Sequence, residues 1–323
     1  MMKVLGIGNA LVDILAVIED DTHLDRLSLP KGSMQLIDEK RLKTLDAAIE
    51  NTDKIVAAGG SASNTITSMA KLGVETGFIG KIGSDAYGKY YRDDLEKYGV
   101  CLHLIETSLA SGIATTFISK DGERTFGTYL GAAATLTPDD LDEKIFQNYR
   151  YLYLEGYLVQ NLELIRKALA LSKKNGLKTI LDLASYNVVE ENRSFLLEVI
   201  PEFVDILFAN REEANALLGV QPREALSILS KQVEIAIVKD GANGSWIGRR
   251  NEPEVFIPTD PIRRVDTTGA GDYYAAGFLY GLIKGLPLAT CGRIGTILAQ
   301  QVIQIIGAKL DEAHWDDIKK QIL

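Results

Sequence analysis

Short apolar, β-branched segments alternate with longer segments of helical periodicity along most of the 323 residues. This alternation is typical of βαβ units and predicts an α/β fold around a mostly parallel, doubly wound sheet. The predicted strands are 4–8, 54–58, 75–79, 151–155, 178–182, 205–209 and 234–239. The predicted helices are 63–72, 88–98, 162–175, 211–218, 270–284, 287–306 and 313–322.

Two regions interrupt the alternation, at about residues 12–38 and 100–130. The second contains two strand-like runs, 112–119 and 124–129, joined by the turn Lys120-Asp121-Gly122-Glu123. No Pro/Ser-rich linker sets these regions apart from the rest of the chain. We therefore expect one domain over residues 1–323, with a small antiparallel lid built from both regions.

Charge and cysteine content exclude several classes of function. The formal net charge of −9 argues against a nucleic acid or another polyanion held by general electrostatics. Cys101 and Cys291 cannot form a disulfide framework, and no Cys/His cluster has the spacing of metal ligands. The apolar run 4–18 is interrupted by Asn9 and Asp13 and lacks a cleavage pattern. We expect a cytoplasmic protein without a membrane partner.

The segment from Asp266 to Asp272, Asp-Thr-Thr-Gly-Ala-Gly-Asp, precedes an apolar helix. Its small residues Gly269, Ala270 and Gly271 leave backbone N–H groups open at a helix start, where the helix dipole favours phosphate or a developing negative charge. Asp272 has two interpretations: a favourable charge in the first turn of a helix, or a base that accepts a proton from a substrate hydroxyl. The segment alone leaves both open.

A polar cluster follows two predicted strands. Gly59, Gly60 and Asn64 either form a tight turn into a helix or present backbone amides and a side-chain amide to polyol hydroxyls. Asn9 and Asp13 follow the first strand and would complete the cluster, since a carboxylate suits vicinal hydroxyls. A buried Asp13 also requires a donor or a ligand to offset its desolvation.

Two further strand ends carry polar or glycine-containing loops. Asn210 and Glu213 form a capping box variant, which is a sufficient structural explanation, or they hold Mg²⁺ through water. Lys239 ends a strand before Gly241 and Gly244, and this loop alone is typical of a hairpin turn.

Two other glycine-rich segments imitate nucleotide motifs. Gly6-x-Gly8-x-x-Leu11 lacks the third glycine of the dinucleotide fingerprint and is not followed by a helix start. The segment 83–90 nearly spells a P-loop, but Tyr90 stands where a Ser or Thr hydroxyl is needed for Mg²⁺. We interpret both as coincidental.

Together, these segments resemble the ribokinase/PfkB family of carbohydrate and nucleoside kinases over nearly the whole chain. Five motifs occur in the family's order: Gly-Gly-x-x-x-Asn at 59–64, Gly-x-x-Gly-x-Asp-x-x-Gly at 80–88, Asn-x-x-Glu at 210–213, Gly-x-x-Gly at 241–244 and Asp-Thr-x-Gly-Ala-Gly-Asp at 266–272. Each motif is weak alone, whereas five in order are specific. The resemblance implies a ribokinase-like, three-layer α/β/α fold whose lid closes over the acceptor.

The resemblance also implies transfer of the γ-phosphoryl group of ATP to a hydroxymethyl group. Asp272 would be the base, and the amides of Gly269, Ala270 and Gly271 the anion hole. Substrate binding falls to Asn9, Asp13, Gly59, Gly60 and Asn64, and nucleotide binding to Asn210, Glu213, Lys239, Gly241, Gly244 and Thr268. Further implied are Mg²⁺ held by Asn210 and Glu213 through water, a monovalent cation such as K⁺ near Asp266, and a homodimer formed through the lid.

Within the family, segments 8–14 and 59–64 look more like the adenosine kinase branch. Segment 182–185 lacks the proline and arginine that many sugar kinases have there, which disfavours a sugar phosphate as acceptor. Tyr273 and Lys239 stand where phenylalanine and threonine are common, so nucleotide contacts differ there. We hypothesise an ATP-dependent kinase acting on the primary hydroxyl of a ribose-like sugar or ribonucleoside. The alternatives are a non-catalytic sugar- or nucleoside-binding relative and a nucleotide-linked oxidoreductase.

Overall fold

The computed structural model describes residues 3–50, 52–120 and 123–322, and the elements below are those of these ranges. The strands are β1 (Val4–Ile7), β2 (Leu11–Val17), β3 (Met34–Leu36), β4 (Lys54–Gly59), β5 (Thr76–Gly83), β6 (Cys101–Thr107), β7 (Gly112–Ile118), β8 (Arg124–Tyr129), β9 (Tyr151–Glu155), β10 (Lys178–Asp182), β11 (Ile206–Asn210), β12 (Ile235–Lys239), β13 (Ser245–Arg249) and β14 (Val255–Ile257). The helices are α1 (Thr22–Arg26), α2 (Glu39–Ala48), α3 (Ser61–Lys71), α4 (Ala86–Lys97), α5 (Glu143–Phe146), α6 (Leu162–Lys174), α7 (Tyr186–Glu191), α8 (Arg193–Phe203), α9 (Arg211–Leu218), α10 (Pro222–Gln232), α11 (Ala270–Ile283), α12 (Leu288–Val302) and α13 (Glu312–Ile322). Asp121 and Gly122 of the predicted turn lie outside the described residues.

The main sheet has the strand order β14-β13-β12-β11-β10-β9-β1-β5-β6. The strands from β12 through β6 pair in parallel, and β13 and β14 add an antiparallel edge. From the central β1 the chain builds outward to both sides, which confirms the predicted doubly wound topology.

Helices cover both faces of this sheet. Along β1, Val4 packs into one hydrophobic core and Leu5 into the other, as expected when successive side chains of a strand point to opposite faces. The first core includes α3, α4, α11 and α12, and the second includes α6, α8, α9 and α10. The three-layer α/β/α arrangement implied by the resemblance is confirmed.

Helix α11, which begins within the segment from Asp266 to Asp272, packs closely against its neighbours. A Cβ on Gly277 would lie 2.8 Å from the carbonyl oxygen of Ile294, so glycine lets α11 and α12 approach. On its other side, Phe278 packs edge-on against Phe208 of β11, with 5.5 Å between ring centroids. These contacts fix α11 against the sheet.

A second sheet, in the order β3-β8-β7-β2-β4, forms the lid. It is mixed rather than antiparallel, because β2 pairs in parallel with β7 and β3 with β8, while β2–β4 and β7–β8 are antiparallel. The parallel pair has a simple origin. β2 and β7 follow β1 and β6 after short connections, and β1 and β6 run in the same direction in the main sheet.

Two of the predicted strand placements are wrong. Segment 54–58 forms β4 at an edge of the lid, although the alternation placed it in the main sheet. Conversely, β6 falls within the predicted lid region but forms an edge of the main sheet. Each of these strands has one hydrogen-bonded neighbour, so its own residues carry little information about which sheet it joins. None of the described helices has the length and apolar character needed to cross a membrane.

Candidate active site

A cleft of about 1140 Å³ lies between the lid and the carboxyl ends of the main-sheet strands. Its position agrees with the rule that ligands of open α/β sheets bind outside the carboxyl ends of the strands. The predicted site residues that line it are Asn9, Asp13, Gly60, Asn64, Asn210, Glu213, Lys239, Gly241, Gly244, Thr268, Gly269, Ala270, Gly271 and Asp272. Gly59 is the predicted site residue absent from this lining.

Asp272 lies in the first turn of α11 and faces the start of α3. Its Oδ1 accepts a hydrogen bond from Ser61 Oγ at 2.7 Å, and its Oδ2 accepts one from Asn64 Nδ2 at 3.0 Å. Burial raises the pKa of Asp272 to about 7, whereas the two hydrogen bonds favour the ionised form. An oriented carboxylate with a pKa near neutrality is well suited to accept a proton.

Open backbone amides surround the start of α11. Gly269 takes φ +75°, the left-handed conformation that glycine tolerates. Among the described residues, the amides of Gly269, Gly271 and Asp272 have no hydrogen-bond partner. The Ala270 amide donates to the carbonyl of Thr267 at 3.2 Å, and its place in the anion hole stays a prediction. This hydrogen bond belongs to a turn that precedes the helix, and the amides of Gly271 and Asp272 that follow it have no such partner.

Asp13 projects from β2 beside the glycine pair. No hydrogen bond to its carboxylate is found among the described residues, and burial raises its pKa to about 6. A Cβ on Gly59 would collide with the Asp13 carboxylate, and one on Gly60, at φ +92°, would collide with the carbonyl oxygen of Asn9. Gly59 therefore makes room for Asp13 rather than lining the cleft. The unpaired carboxylate is available for substrate hydroxyls.

Asn9 and Asn64 are both tied to acidic side chains. Asn64 donates to Asp272, while its Oδ1 is buried without a hydrogen-bond partner among the described residues. The amide groups of Asn9, backbone and side chain, donate to Glu155 Oε1 at 2.8 and 2.7 Å. Glu155 also accepts from the Ala62 amide at 2.8 Å and is 1% exposed. Sequence reasoning missed Glu155, because a single acid ending a buried strand forms no local motif.

Asn210 and Glu213 form a complete capping box at the start of α9. Asn210 Oδ1 accepts from the Glu213 amide, and both Glu213 oxygens accept from Asn210, at 2.6 and 2.7 Å. Glu213 is 2% exposed, and burial raises its pKa to about 7. Asn210 and Glu213 already bind each other, so they do not fit direct magnesium ligands, and the predicted contact through water stays a prediction. No group of three or more His, Cys, Asp or Glu suited to a metal occurs among the described residues.

Lys239 ends β12 and lies deep in the cleft. Its Nζ is 3.1 Å from Asp182 Oδ2 at the end of β10. The loop that follows is the predicted hairpin between β12 and β13, in which Gly241 and Gly244 take φ +56° and +118°. A Cβ on Gly244 would collide with the carbonyl oxygen of Ile257, so glycine is required there.

An arginine of the lid, which sequence reasoning also missed, contacts the loop before α11. Arg124 on β8 forms an ion pair with Asp266 and a hydrogen bond to Thr268 Oγ1. The Asp266 side chain is 0% exposed and accepts further hydrogen bonds from the amides of Thr268 and Gly307 at 2.7 and 2.6 Å. Protein donors occupy both oxygens of the Asp266 carboxylate, and the monovalent cation implied near this loop stays a prediction.

Comparisons with known proteins bear on this arrangement. A family model described as pfkB family carbohydrate kinase matches residues 35–314. An uncharacterized sugar kinase from Archaeoglobus fulgidus is 32% identical over 249 residues, 75% of this chain and 96% of that protein. A 5-dehydro-2-deoxygluconokinase from Clostridium perfringens is 27% identical over 281 residues, 82% of this chain and 83% of that protein. The solved adenosine kinase from Sinorhizobium meliloti has a TM-score of 0.88 and 34% identity over 99% of both chains.

Proposed function

Because the chain belongs to the pfkB family of carbohydrate kinases, we propose that it transfers the γ-phosphoryl group of ATP to the primary hydroxyl of a ribose-like sugar or ribonucleoside. One observation carries this proposal: an oriented carboxylate, Asp272, lies directly beside the open amides of Gly269 and Gly271. A base and an anion hole at one point are what transfer of a phosphoryl group to a hydroxyl requires.

The reaction follows from these groups. The hydroxyl oxygen of the acceptor attacks the γ-phosphorus, and the bond from phosphorus to the bridging oxygen breaks, so that its electron pair leaves with ADP. The hydroxyl proton passes to Asp272, which Ser61 and Asn64 hold in place. The open amides stabilise the charge on the transferred group. Positioning and charge stabilisation dominate, because the transition state is loose.

The lid side of the cleft supports a neutral acceptor with an apolar part. Its lining includes Met34 and Leu36, which are 55% and 56% exposed, together with Phe126 and Leu130. The lining residues from the lid and from the first strands include no lysine or arginine. Arg124 and Lys309, whose charges act on Asp13, are paired with Asp266 and Asp94, so a phosphate on the acceptor would compete with these carboxylates for a cation. This apolar wall suits a flat nucleobase, and Asp13 lies where the ribose hydroxyls of such a ligand would be. Both features favour a ribonucleoside over a free sugar.

The opposite side of the cleft supports the nucleotide. It is lined by the loop at Gly241 and Gly244, by residues 259–262, and by Ala299, Gln300 and Ile303 of the α12 region. ATP lying here would direct its γ-phosphoryl group towards α11. Magnesium stays a prediction; it would arrive bound to the phosphates of ATP, where it would neutralise part of their charge.

The direct test is ADP release with a panel of acceptors: adenosine, other nucleosides, ribose, fructose, 5-dehydro-2-deoxygluconate and sugar phosphates. We expect a nucleoside to give the highest kcat/KM, and Asp272→Asn to lower the rate with the same acceptor by about 10² to 10⁴. A flat response to the whole panel would rule out the proposed activity. A preference for a free sugar would keep the kinase and reject the nucleoside.

Two alternatives give different results. A non-catalytic relative would bind an acceptor at Asp13 without releasing ADP. A nucleotide-linked oxidoreductase would bind a nicotinamide nucleotide, but its fingerprint requires a helix after Gly8, and strand β2 follows instead.

A further inference from the structure

The ammonium group of Lys239 faces the anion hole. The side chain is 14% exposed and lines the cleft at the end of β12. A Cβ built on Gly271 would lie 3.1 Å from Lys239 Nζ. The ammonium and the open amides of Gly271 and Asp272 therefore border the same small space. A phosphoryl group placed at the amides lies within reach of Lys239.

The contact between the ammonium and the start of α11 is unfavourable by itself, and Asp182 offsets it from the other side of Lys239. The start of a helix carries a partial positive charge, and an ammonium placed beside it is repelled. Cations are normally stabilising at the opposite end of a helix. A negatively charged group between Lys239 and α11 would convert the repulsion into two attractions.

Charged groups around Lys239 keep it protonated and fix its position. Burial alone lowers the pKa of Lys239, but the carboxylates of Asp182 and Glu213 outweigh this effect and raise it. Asp272 also faces the ammonium. Asp182 is itself anchored, because its Oδ1 accepts the Ala184 amide at 3.1 Å while its Oδ2 contacts Lys239.

We propose that Lys239 is a catalytic residue that contacts the transferred phosphoryl group opposite the anion hole, and that Asp182 is the positioning residue that aims it. The inference rests on the proposed kinase activity. Lys239 keeps its proton throughout and supplies charge alone, since the hydroxyl proton goes to Asp272. Its charge is most valuable when negative charge is spread over the oxygens of the group in flight.

The test compares Lys239→Met with Lys178→Met. Lys178 lies at the other end of the same sheet, where it pairs with Asp205 and Glu234, so it reports the cost of removing a lysine from two carboxylates. We expect Lys239→Met to lower kcat by about 100-fold with little change in the KM of the acceptor. Lys178→Met should retain the wild-type kcat. A kcat for Lys239→Met within threefold of wild type would overturn the proposal.

The double variant Asp182→Asn/Lys239→Met separates charge on the phosphoryl group from simple neutralisation of Asp182. If Lys239 merely compensates Asp182, the double variant regains both Tm and kcat, which would overturn the proposal. If Lys239 acts on the phosphoryl group, the double variant regains Tm while kcat stays low.

A binding experiment keeps the inference independent of turnover. Calorimetric titration of the full chain with ADP and with a non-hydrolysable ATP analogue should show that Lys239→Met weakens the analogue about tenfold and ADP less than twofold. Equal loss for both ligands would contradict a contact to the γ-phosphoryl group. If wild type binds the analogue but turns over no acceptor, the proposed function fails while this measurement still decides the role of Lys239.

Discussion

Asp272 destabilises the folded protein in the same ionised form that the reaction needs. Its folded-state pKa, about 7, lies above the ordinary value of 3.8, so between these values the native state holds a proton that the unfolded state has released. Stability from this group is therefore present below about pH 4 and is lost as the pH rises to about 7. The full cost applies above pH 7, where the carboxylate is ionised as the proposed role of base requires.

Replacing Asp272 by asparagine should therefore separate activity from stability. We expect kcat to fall by about 10² to 10⁴, because proton transfer loses its acceptor, while binding of an ATP analogue persists. The variant should also gain Tm relative to wild type at pH 8, and this gain should shrink at pH 5. Steady-state kinetics and thermal melts at both pH values measure the two effects. Near-normal kcat would remove Asp272 from the role of base.

Local sequence patterns predicted some residues of the candidate site and missed others. Asp272 and Asp13 were predicted as site residues from their positions in the sequence. Asp272 lies in a motif at the start of a predicted helix, and Asp13 follows the first predicted strand. Glu155 and Arg124 were not, since each is one charged residue in a strand whose partners lie far away in the sequence. Asn64 was predicted as a substrate ligand, and its contact with Asp272 emerges only when α3 and α11 meet.

At the scale of elements, the capping box of α9 explains residues that the motif assigned to magnesium. Asn210→Ala should lower the free energy of unfolding by about 1–2 kcal/mol, because the cap is lost, whereas Asn210→Ser should nearly retain it. Both variants should reach half-maximal activity at the wild-type magnesium concentration. Urea unfolding and magnesium titrations at fixed ATP measure this. A shift of the magnesium requirement in both variants would restore the metal-binding interpretation.

The start of α3 depends on a glycine that cannot be exchanged. Gly60 has φ +92°, and its Cβ would collide with the Asn9 carbonyl, while Gly73, just beyond the end of the same helix, has φ +81° with nothing within 4 Å. Gly73→Ala should therefore cost about 1 kcal/mol from strain alone. Gly60→Ala should cost clearly more and should lower kcat, because Ser61 and Asn64 lie in the next turn. Equal unfolding free energies for the two variants would contradict this.

Apolar sequence patterns locate strands but do not decide which sheet an edge strand joins. Strands buried on both faces, such as β9 to β12, were located from their apolar runs to within a residue. The two misplaced strands, β4 and β6, are edges, and long-range pairing decides which sheet receives them. No residue in either strand specifies that pairing, because hydrogen bonding to one neighbour uses backbone groups common to all residues.

At the scale of the whole molecule, a homodimer through the lid stays a prediction. The lid face opposite the cleft is already covered in part by α2, since a Cβ on Gly127 of β8 would collide with Leu45. Leu42 and Leu45 of this helix are 4% and 0% exposed. A lid dimer would therefore use the edges β3 and β4 rather than the open face of a sheet.

Arg124 links the lid to the loop before α11, because it reaches from β8 to Asp266 and Thr268, just before the proposed anion hole. The Asp266 side chain has no solvent exposure, so removing its cationic partner would leave a buried negative charge. We expect Arg124→Met to lower the free energy of unfolding by about 3 kcal/mol and to reduce kcat through disorder of the loop.

The matched double variant identifies the cause of this loss. Arg124→Met/Asp266→Asn removes both charges and should regain part of the lost stability, because no buried charge is left without a partner. The recovery should stay incomplete, because the single side-chain oxygen of Asn can replace only one of the two carboxylate oxygens that accept the amides of Thr268 and Gly307. Urea unfolding of wild type, both single variants and the double variant closes this cycle. A coupling free energy near zero would mean that the lid and the anion-hole loop are independent, whereas a coupling of a few kcal/mol makes lid position and catalytic geometry one cooperative property of the fold.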